Sequence, residues 1–166
     1  MRSKLLLAIA APLFLVSCAS YDGHSLIPGK STEADVEALM GPSADRRTGP
    51  NGETVRYYSR LPFGRVIFAA RFGPDGTLKG LEQRLIEDNF ERLKAGTSRA
   101  DDVRELLGPP YRVDQFPRMQ REIWTYPWQG LTSDRLLLVQ FSADGIVREV
   151  YKIEDPDAIG YEGGGV

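Results

Sequence analysis

Apolar and polar positions along the chain change period twice. Residues 5–16 are an unbroken apolar run that contains Pro12 and follows a short head with Arg2 and Lys4. Further on, Val36, Leu39 and Met40 fall at i, i+3 and i+4, and so do Val103, Leu106 and Leu107. That spacing predicts two short helices, each with one apolar stripe. Ser and Thr residues ahead of Val36 and Val103 read as N-caps, with Asp35, or Asp101 and Asp102, in the first turn. Gly41-Pro42 and Gly108-Pro109 end the helices, because Gly accepts a left-handed cap and Pro cannot continue the ladder. Three extended runs follow each helix: 53–60, 65–72 and 77–85, then 121–128, 134–142 and 146–153. Asp75-Gly76 and Asp144-Gly145 join the last two runs of each set and are hairpin signals.

The two sets are copies. Residues 29–42 align without a gap on residues 96–109, an offset of 67 that matches Gly29, Ser31, Asp35, Val36, Leu39, Gly41 and Pro42 to their second-set counterparts. Tyr58 pairs with Tyr126 at offset 68, and Phe72, Asp75 and Gly76 pair with Phe141, Asp144 and Gly145 at offset 69. A helix of about three turns cannot close a core alone, but laid on a sheet it can. The expected fold is therefore α+β: two tandem units, each a short helix or helix pair packed on a three-stranded antiparallel sheet. The units span 24–85 and 86–156, and an acidic, glycine-rich flexible tail occupies 157–166. Residues 88–93 read as an extra helical turn with Phe90 and Leu93 turned inward, whereas 21–28 reads as irregular.

The apolar run at the N-terminus is too short to span a bilayer comfortably, since crossing takes about 20 residues. With its cationic head it reads as a secretion signal at 1–17. It ends in Leu15-Val16-Ser17-Cys18, which resembles the lipobox of bacterial lipoproteins. The resemblance implies cleavage between Ser17 and Cys18, lipidation of Cys18, and a lipidated linker at 18–23. Two or three acyl chains anchor stably where one does not. Ala19, rather than Asp, after the cysteine implies sorting to the outer membrane, with the protein on its periplasmic face. Cys18 is the only cysteine, so neither a disulfide nor thiol redox chemistry is expected of the mature chain.

Composition narrows the partners. Hydrophobic residues make up 42% of the chain, enough for real cores. The formal charge of −2, about −4 once Arg2 and Lys4 leave with the signal, gives no footprint for nucleic acid. The single histidine, His24, lies in the irregular stretch and reads as a solvated side chain rather than a catalytic one. No spacing resembles a zinc or calcium site, and Asp75-Gly76 and Asp144-Gly145 read as turns rather than ligands. Glu87-Asp88 and Asp101-Asp102 stand at helix starts, where they complement the dipole. The expectation is no enzyme, no cofactor, no metal and no small-molecule substrate.

Surfaces are more informative. In the run 121–128, Trp124, Tyr126 and Trp128 share one face and Ile123, Thr125 and Pro127 the other. In 134–142, Leu137, Val139 and Phe141 oppose Leu136 and Leu138. One face must take the helix, yet both are apolar. The second either packs on the other repeat or docks a partner, which makes Trp124, Tyr126, Trp128, Leu136 and Leu138 candidate partner-binding residues. In the first unit Arg56, Arg60, Arg65 and Arg71 stand among Tyr57, Tyr58 and Phe63. Arginine beside aromatics suits protein interfaces or lipid headgroups, and solvated strand charge is the plainer alternative.

A Gly-x-Ser/Thr turn, a helix with Val and Leu-x-Gly-x-Pro, an aromatic strand and then Phe-x-x-Asp-Gly resembles the SmpA/OmlA (BamE-like) lipoprotein domain. The residues are Gly29, Ser31, Val36, Leu39, Gly41, Pro42, Phe72, Asp75 and Gly76, and again Gly96, Ser98, Val103, Leu106, Gly108, Pro109, Trp124, Tyr126, Phe141, Asp144 and Gly145. The tandem layout also resembles the β-lactamase inhibitor proteins, which present a concave sheet to an enzyme. Here there are two units in place of one, and Gly-Lys-Ser-Thr and Gly-Thr-Ser-Arg replace the Gly-Met-Thr of closer relatives. The resemblance implies a non-catalytic scaffold or adaptor that binds another envelope protein in outer-membrane protein assembly or envelope maintenance. An inhibitor-type module that caps a hydrolase, and a lipid-headgroup or cell-wall binder, are the alternatives.

Overall fold

The structure, a computed structural model, describes residues 23–159; the signal segment and Cys18 lie outside the described residues. Helix α1 (Glu33–Met40) opens the first unit, followed by β1 (Asp45–Thr48), β2 (Thr54–Ser59), β3 (Ile67–Phe72) and β4 (Leu78–Gln83). A short α2 (Glu87–Glu91) leads into α3 (Ala100–Leu107), then β5 (Arg112–Phe116), β6 (Arg121–Gln129), β7 (Asp134–Ser142), β8 (Val147–Glu154) and a helical turn α4 (Pro156–Ile159). Each sheet is a four-stranded antiparallel meander, ordered β1-β2-β3-β4 and β5-β6-β7-β8. The α+β class therefore holds, but the three-stranded sheets expected from sequence gain a fourth strand each. Strand β1 has no apolar residue, and Val113 and Phe116 of β5 are exposed, so the neighbouring strand's backbone holds both strands rather than a core.

The duplication is visible bond for bond. Gly29 N–H donates to the Leu78 carbonyl and Leu78 N–H to Ser31, as Gly96 donates to Val147 and Val147 to Ser98, all at 2.8 Å. The Ser31 hydroxyl accepts from Ile27 N–H and the Ser98 hydroxyl from Lys94 N–H, both at 2.9 Å. These bonds stitch each helix start onto the last strand of its own sheet. The N-caps differ. Thr32 caps α1, its hydroxyl accepting from Asp35 N–H while the Asp35 carboxylate accepts from Thr32 N–H at 2.7 Å. In α3 the cap position is Arg99, which has no acceptor, so the expected Ser/Thr cap is absent there. The Asp102 carboxylate still accepts from Arg99 N–H at 2.7 Å, while Ser98 serves the preceding turn.

Packing turns the two units into a stack. Register places Tyr58, Ala70 and Phe72 on one face of the first sheet, where they form a cluster with Val36 and Met40 of α1. Tyr57, Ile67 and Ala69 lie on the opposite face and belong to the second cluster, with Val103 and Leu107 of α3 and Trp124, Tyr126, Val139 and Phe141 of the second sheet. Helix α3 thus sits between two sheets, and its own unit claims only one side of it. Tyr57, Ile67, Val103, Leu107 and Tyr126 are fully buried, and each such side chain contributes about 1.5–3 kcal/mol. Phe90 and Leu93 turn inward as their spacing predicts. The layer order is α1, first sheet, α3 with α2, second sheet.

At the end of the chain, residues 157–159 of the expected tail belong to α4. Pro156 occupies the first helical position, and the Asp155 carboxylate accepts from Asp157 N–H at 3.0 Å.

Candidate interaction surface

The face of the second sheet turned away from α3 carries Ile123, Thr125 and Pro127 from β6, Leu136 and Leu138 from β7, and Tyr151 and Ile153 from β8. Thr125 and Pro127 are already buried, so the open part of this face is carried by β7 and β8. Tyr151 and Ile153 are 44% and 40% exposed, and Leu136 and Leu138 are half-buried among their neighbours. At the β6–β7 end of this face the loop between β2 and β3 reaches over from the first unit and walls a cleft of about 380 Å³, with Pro62, Phe63 and Arg65 on one side and Tyr111, Pro127 and Leu136 on the other.

Arg65 fixes that loop. Its guanidinium pairs with Asp134 at 2.9 Å and with Asp155 at 2.6 Å, and it reaches the Arg135 carbonyl at 3.5 Å. The side chains of Arg65 and Asp155 are largely buried, so this pair is held in register rather than screened by solvent. Phe63, at the tip of the same loop, is almost fully exposed.

The candidate residues distribute unevenly over this architecture. Trp124, Tyr126 and Trp128 are core residues, at 8%, 0% and 4% exposure, which corrects their expected place on a docking patch. Trp128 meets the Phe90 ring edge-on at 4.9 Å and takes the Arg135 guanidinium at 5.8 Å from its centroid. Trp124 tilts against Phe141 at 4.8 Å. The Tyr126 hydroxyl donates to the Gly108 carbonyl at 3.1 Å, and burial pushes its pKa far up, so it stays a protonated donor. Leu136 and Leu138, by contrast, do lie on the open face.

The four arginines do not converge. Arg56 points to the α1 side and pairs with Glu33 and, at 3.3 Å, with Glu37. Arg60 donates to the Met40 carbonyl at the end of α1, where a cation complements the helix dipole. Arg65 is held by the second unit. Arg71 stands on the opposite face from Arg56 and pairs with Glu82 at 2.9 Å in solvent. They serve three separate neighbourhoods and form no continuous basic patch.

Among the described residues no group of three or more His, Cys, Asp or Glu side chains stands close enough to hold a metal ion. His24 is exposed. Among those same residues no helix is long and apolar enough to cross a membrane. Tyr111, Tyr151 and Ile153 were missed in the sequence. A period-2 signal did mark the last two, but Glu149 shares their face while Val150, Lys152 and Glu154 make up the other, and this mixture dilutes the pattern.

Comparison with known proteins finds no protein family and no curated protein that match the chain. Among solved structures the chain is similar to a DUF4309 family protein, YjgB, from Bacillus subtilis subsp. subtilis str. 168, at 20% identity and a TM-score of 0.31, over 80% of this chain and 84% of that one. The SmpA/OmlA resemblance rests on the motif residues alone.

Proposed function

We propose that the chain is a non-catalytic, lipid-anchored lipoprotein of the outer membrane that works as a protein-binding scaffold or adaptor. Its docking surface is the open face of the second sheet. One observation carries this reading: both faces of the first sheet and the inner face of the second receive a helix, while among the described residues none lies over Leu136, Leu138, Tyr151 and Ile153. An uncovered, largely apolar sheet face next to a walled cleft has the character of a protein interface core. Cys18 supplies the anchor in this reading. The motif resemblance favours a role in outer-membrane protein assembly or envelope maintenance.

The test is recovery of partners from detergent-solubilised envelopes with the wild-type chain and with Leu138→Asp. The expected result is a set of proteins, or of copies of the chain itself, retained by wild type and lost with Leu138→Asp, while the circular dichroism of the two proteins agrees. Equal recovery by both would remove the open face from the reading. Fractionation of Cys18→Ser checks the anchor: the variant should leave the membrane pellet for the soluble fraction.

A further inference from the structure

We infer that the open face of the second sheet is the seat for helix α1 of a second copy of this chain, so that copies stack head to tail. This rests on reading that face as a docking surface and names its occupant. The molecule already contains the contact once. Helix α3 lies on the first sheet, and by the offsets of the duplication α1 is the counterpart of α3 and the second sheet is the counterpart of the first. Tyr57, Ile67 and Ala69, which receive α3, correspond to Thr125, already buried where the cleft borders the seat, and to the half-buried Leu136 and Leu138; strand register agrees, since Asp45 pairs with Tyr57 as Arg112 pairs with Thr125.

The outward side of α1 has the matching form. Gly108 ends α3 so close to the first sheet that a Cβ would lie 2.9 Å from both Tyr57 and Ile67. Gly41 ends α1 with nearly the same backbone, φ +76 against +87, yet a Cβ there would meet nothing within 4 Å. Ala34 and Ala38 are exposed on α1, as Asp101 and Glu105 are on α3, and Leu39 is half-buried against its own unit's cluster where Leu106 is half-buried against the one shared by both units. At its glycine end the helix is therefore covered in the second unit and open in the first.

Charge gives the strongest indication that the occupant is a second copy. Within the chain, Arg104 of α3 pairs with Asp45 of β1 at 2.8 Å. The counterpart of Arg104 is Glu37, and the counterpart of Asp45 is Arg112. Both signs are reversed together, so a stacked copy would place Glu37 against Arg112 and recover the ion pair. Both side chains are open to a newcomer, at 53% and 61% exposure, with Glu37 on Arg56 at 3.3 Å and Arg112 on Asp114 at 2.8 Å. Because donor and acceptor surfaces differ, the contact is heterologous and extends into a row rather than closing as a pair.

Two full-length chains test this, each with Cys18→Ser so that the introduced cysteine is the sole thiol, purified in a nonionic detergent and mixed under mild oxidation. One carries Ala38→Cys, the other Leu136→Cys, with Tyr151→Cys as a second version should Leu136→Cys melt early. Disulfide-linked dimers are expected from the mixture and not from either chain alone. Adding Arg112→Glu to the second chain should lower the yield about tenfold through like-charge contact. Adding Glu37→Arg to the first chain as well should restore it. Dimers of Ala38→Cys with itself in preference to the mixture would mean a symmetric contact and overturn the inference. So would absence of any cross-link while the open face still retains another envelope protein, an outcome that leaves the docking-surface reading intact. Absence of both would end both.

Discussion

The Tyr57 hydroxyl donates to the Glu105 carbonyl at 2.7 Å, across 48 residues and across the boundary between the two repeats. The same carbonyl receives the Arg84 guanidinium at 3.3 Å. Burial raises the Tyr57 pKa, so the hydroxyl is a protonated donor at neutral pH. Residue 105 is in the last turn of α3, where carbonyls lack helical partners. The first unit therefore completes the helix of the second, and the larger of the two cores draws on both.

Unfolding should accordingly be a single transition. Both tryptophans, Trp124 and Trp128, are in the second sheet, so their fluorescence reports on that unit while circular dichroism reports on both. In urea the two signals are expected to coincide. Tyr57→Ala in the first unit should lower the tryptophan midpoint by about 3–5 kcal/mol, and Tyr57→Phe by about 1 kcal/mol. A tryptophan signal indifferent to Tyr57→Ala would show the units to be independent.

The paired helix-ending glycines allow a matched comparison. Gly41 and Gly108 share a positive φ with ψ near 180°, a region that side chains avoid, so alanine costs about 1–3 kcal/mol at either site. Only at Gly108 does the new Cβ also press on Tyr57 and Ile67, which adds about 1–3 kcal/mol of overpacking. Thermal melts of Gly41→Ala and Gly108→Ala should rank in that order, and the reverse order would contradict the stacking of α3 on the first sheet.

Local pattern in the sequence announced the helices and the hairpins, because Val36 and Met40, like Val103 and Leu107, bury at the spacing a helix requires. It was silent about β1, whose Asp45-Arg46-Arg47-Thr48 pairs through backbone and surface charge. The alternation in β6 revealed two apolar faces but not their fates. Trp124 and Trp128 turned inward because α3 and Phe90 of α2 need large partners there. What local reading missed at Tyr57 and Ile67 is a contact with the next repeat, visible only when the two repeats are compared as a stack rather than as copies.

The Arg65 clamp should be measurable as coupling. Asp155→Ala removes one of two carboxylates from a largely buried guanidinium while Asp134 remains at 2.9 Å. The expected cost is about 2–3 kcal/mol, below the full penalty for an orphaned buried charge. In a double-mutant cycle with Arg65→Ala the two sites should couple by at least about 1 kcal/mol. Simple additivity would mean that the loop carrying Phe63 is held by other contacts.

Acid should weaken the start of α1. Hydrogen bonds from the Thr32 backbone and hydroxyl hold the Asp35 carboxyl below its ordinary value of 3.8. A folded-state pKa lowered in this way contributes stability that is fully present above the unfolded value and is lost as pH falls through the folded one. The effect of Asp35→Asn on the melting temperature should therefore be constant from neutral pH down to about pH 5 and then shrink below the carboxylate range. Thr32→Ala should cost about 1 kcal/mol at neutral pH as a lost cap, and in its presence the acid dependence of Asp35→Asn should flatten. An effect of Asp35→Asn that grows toward acid would reverse the sign and refute this account of the cap.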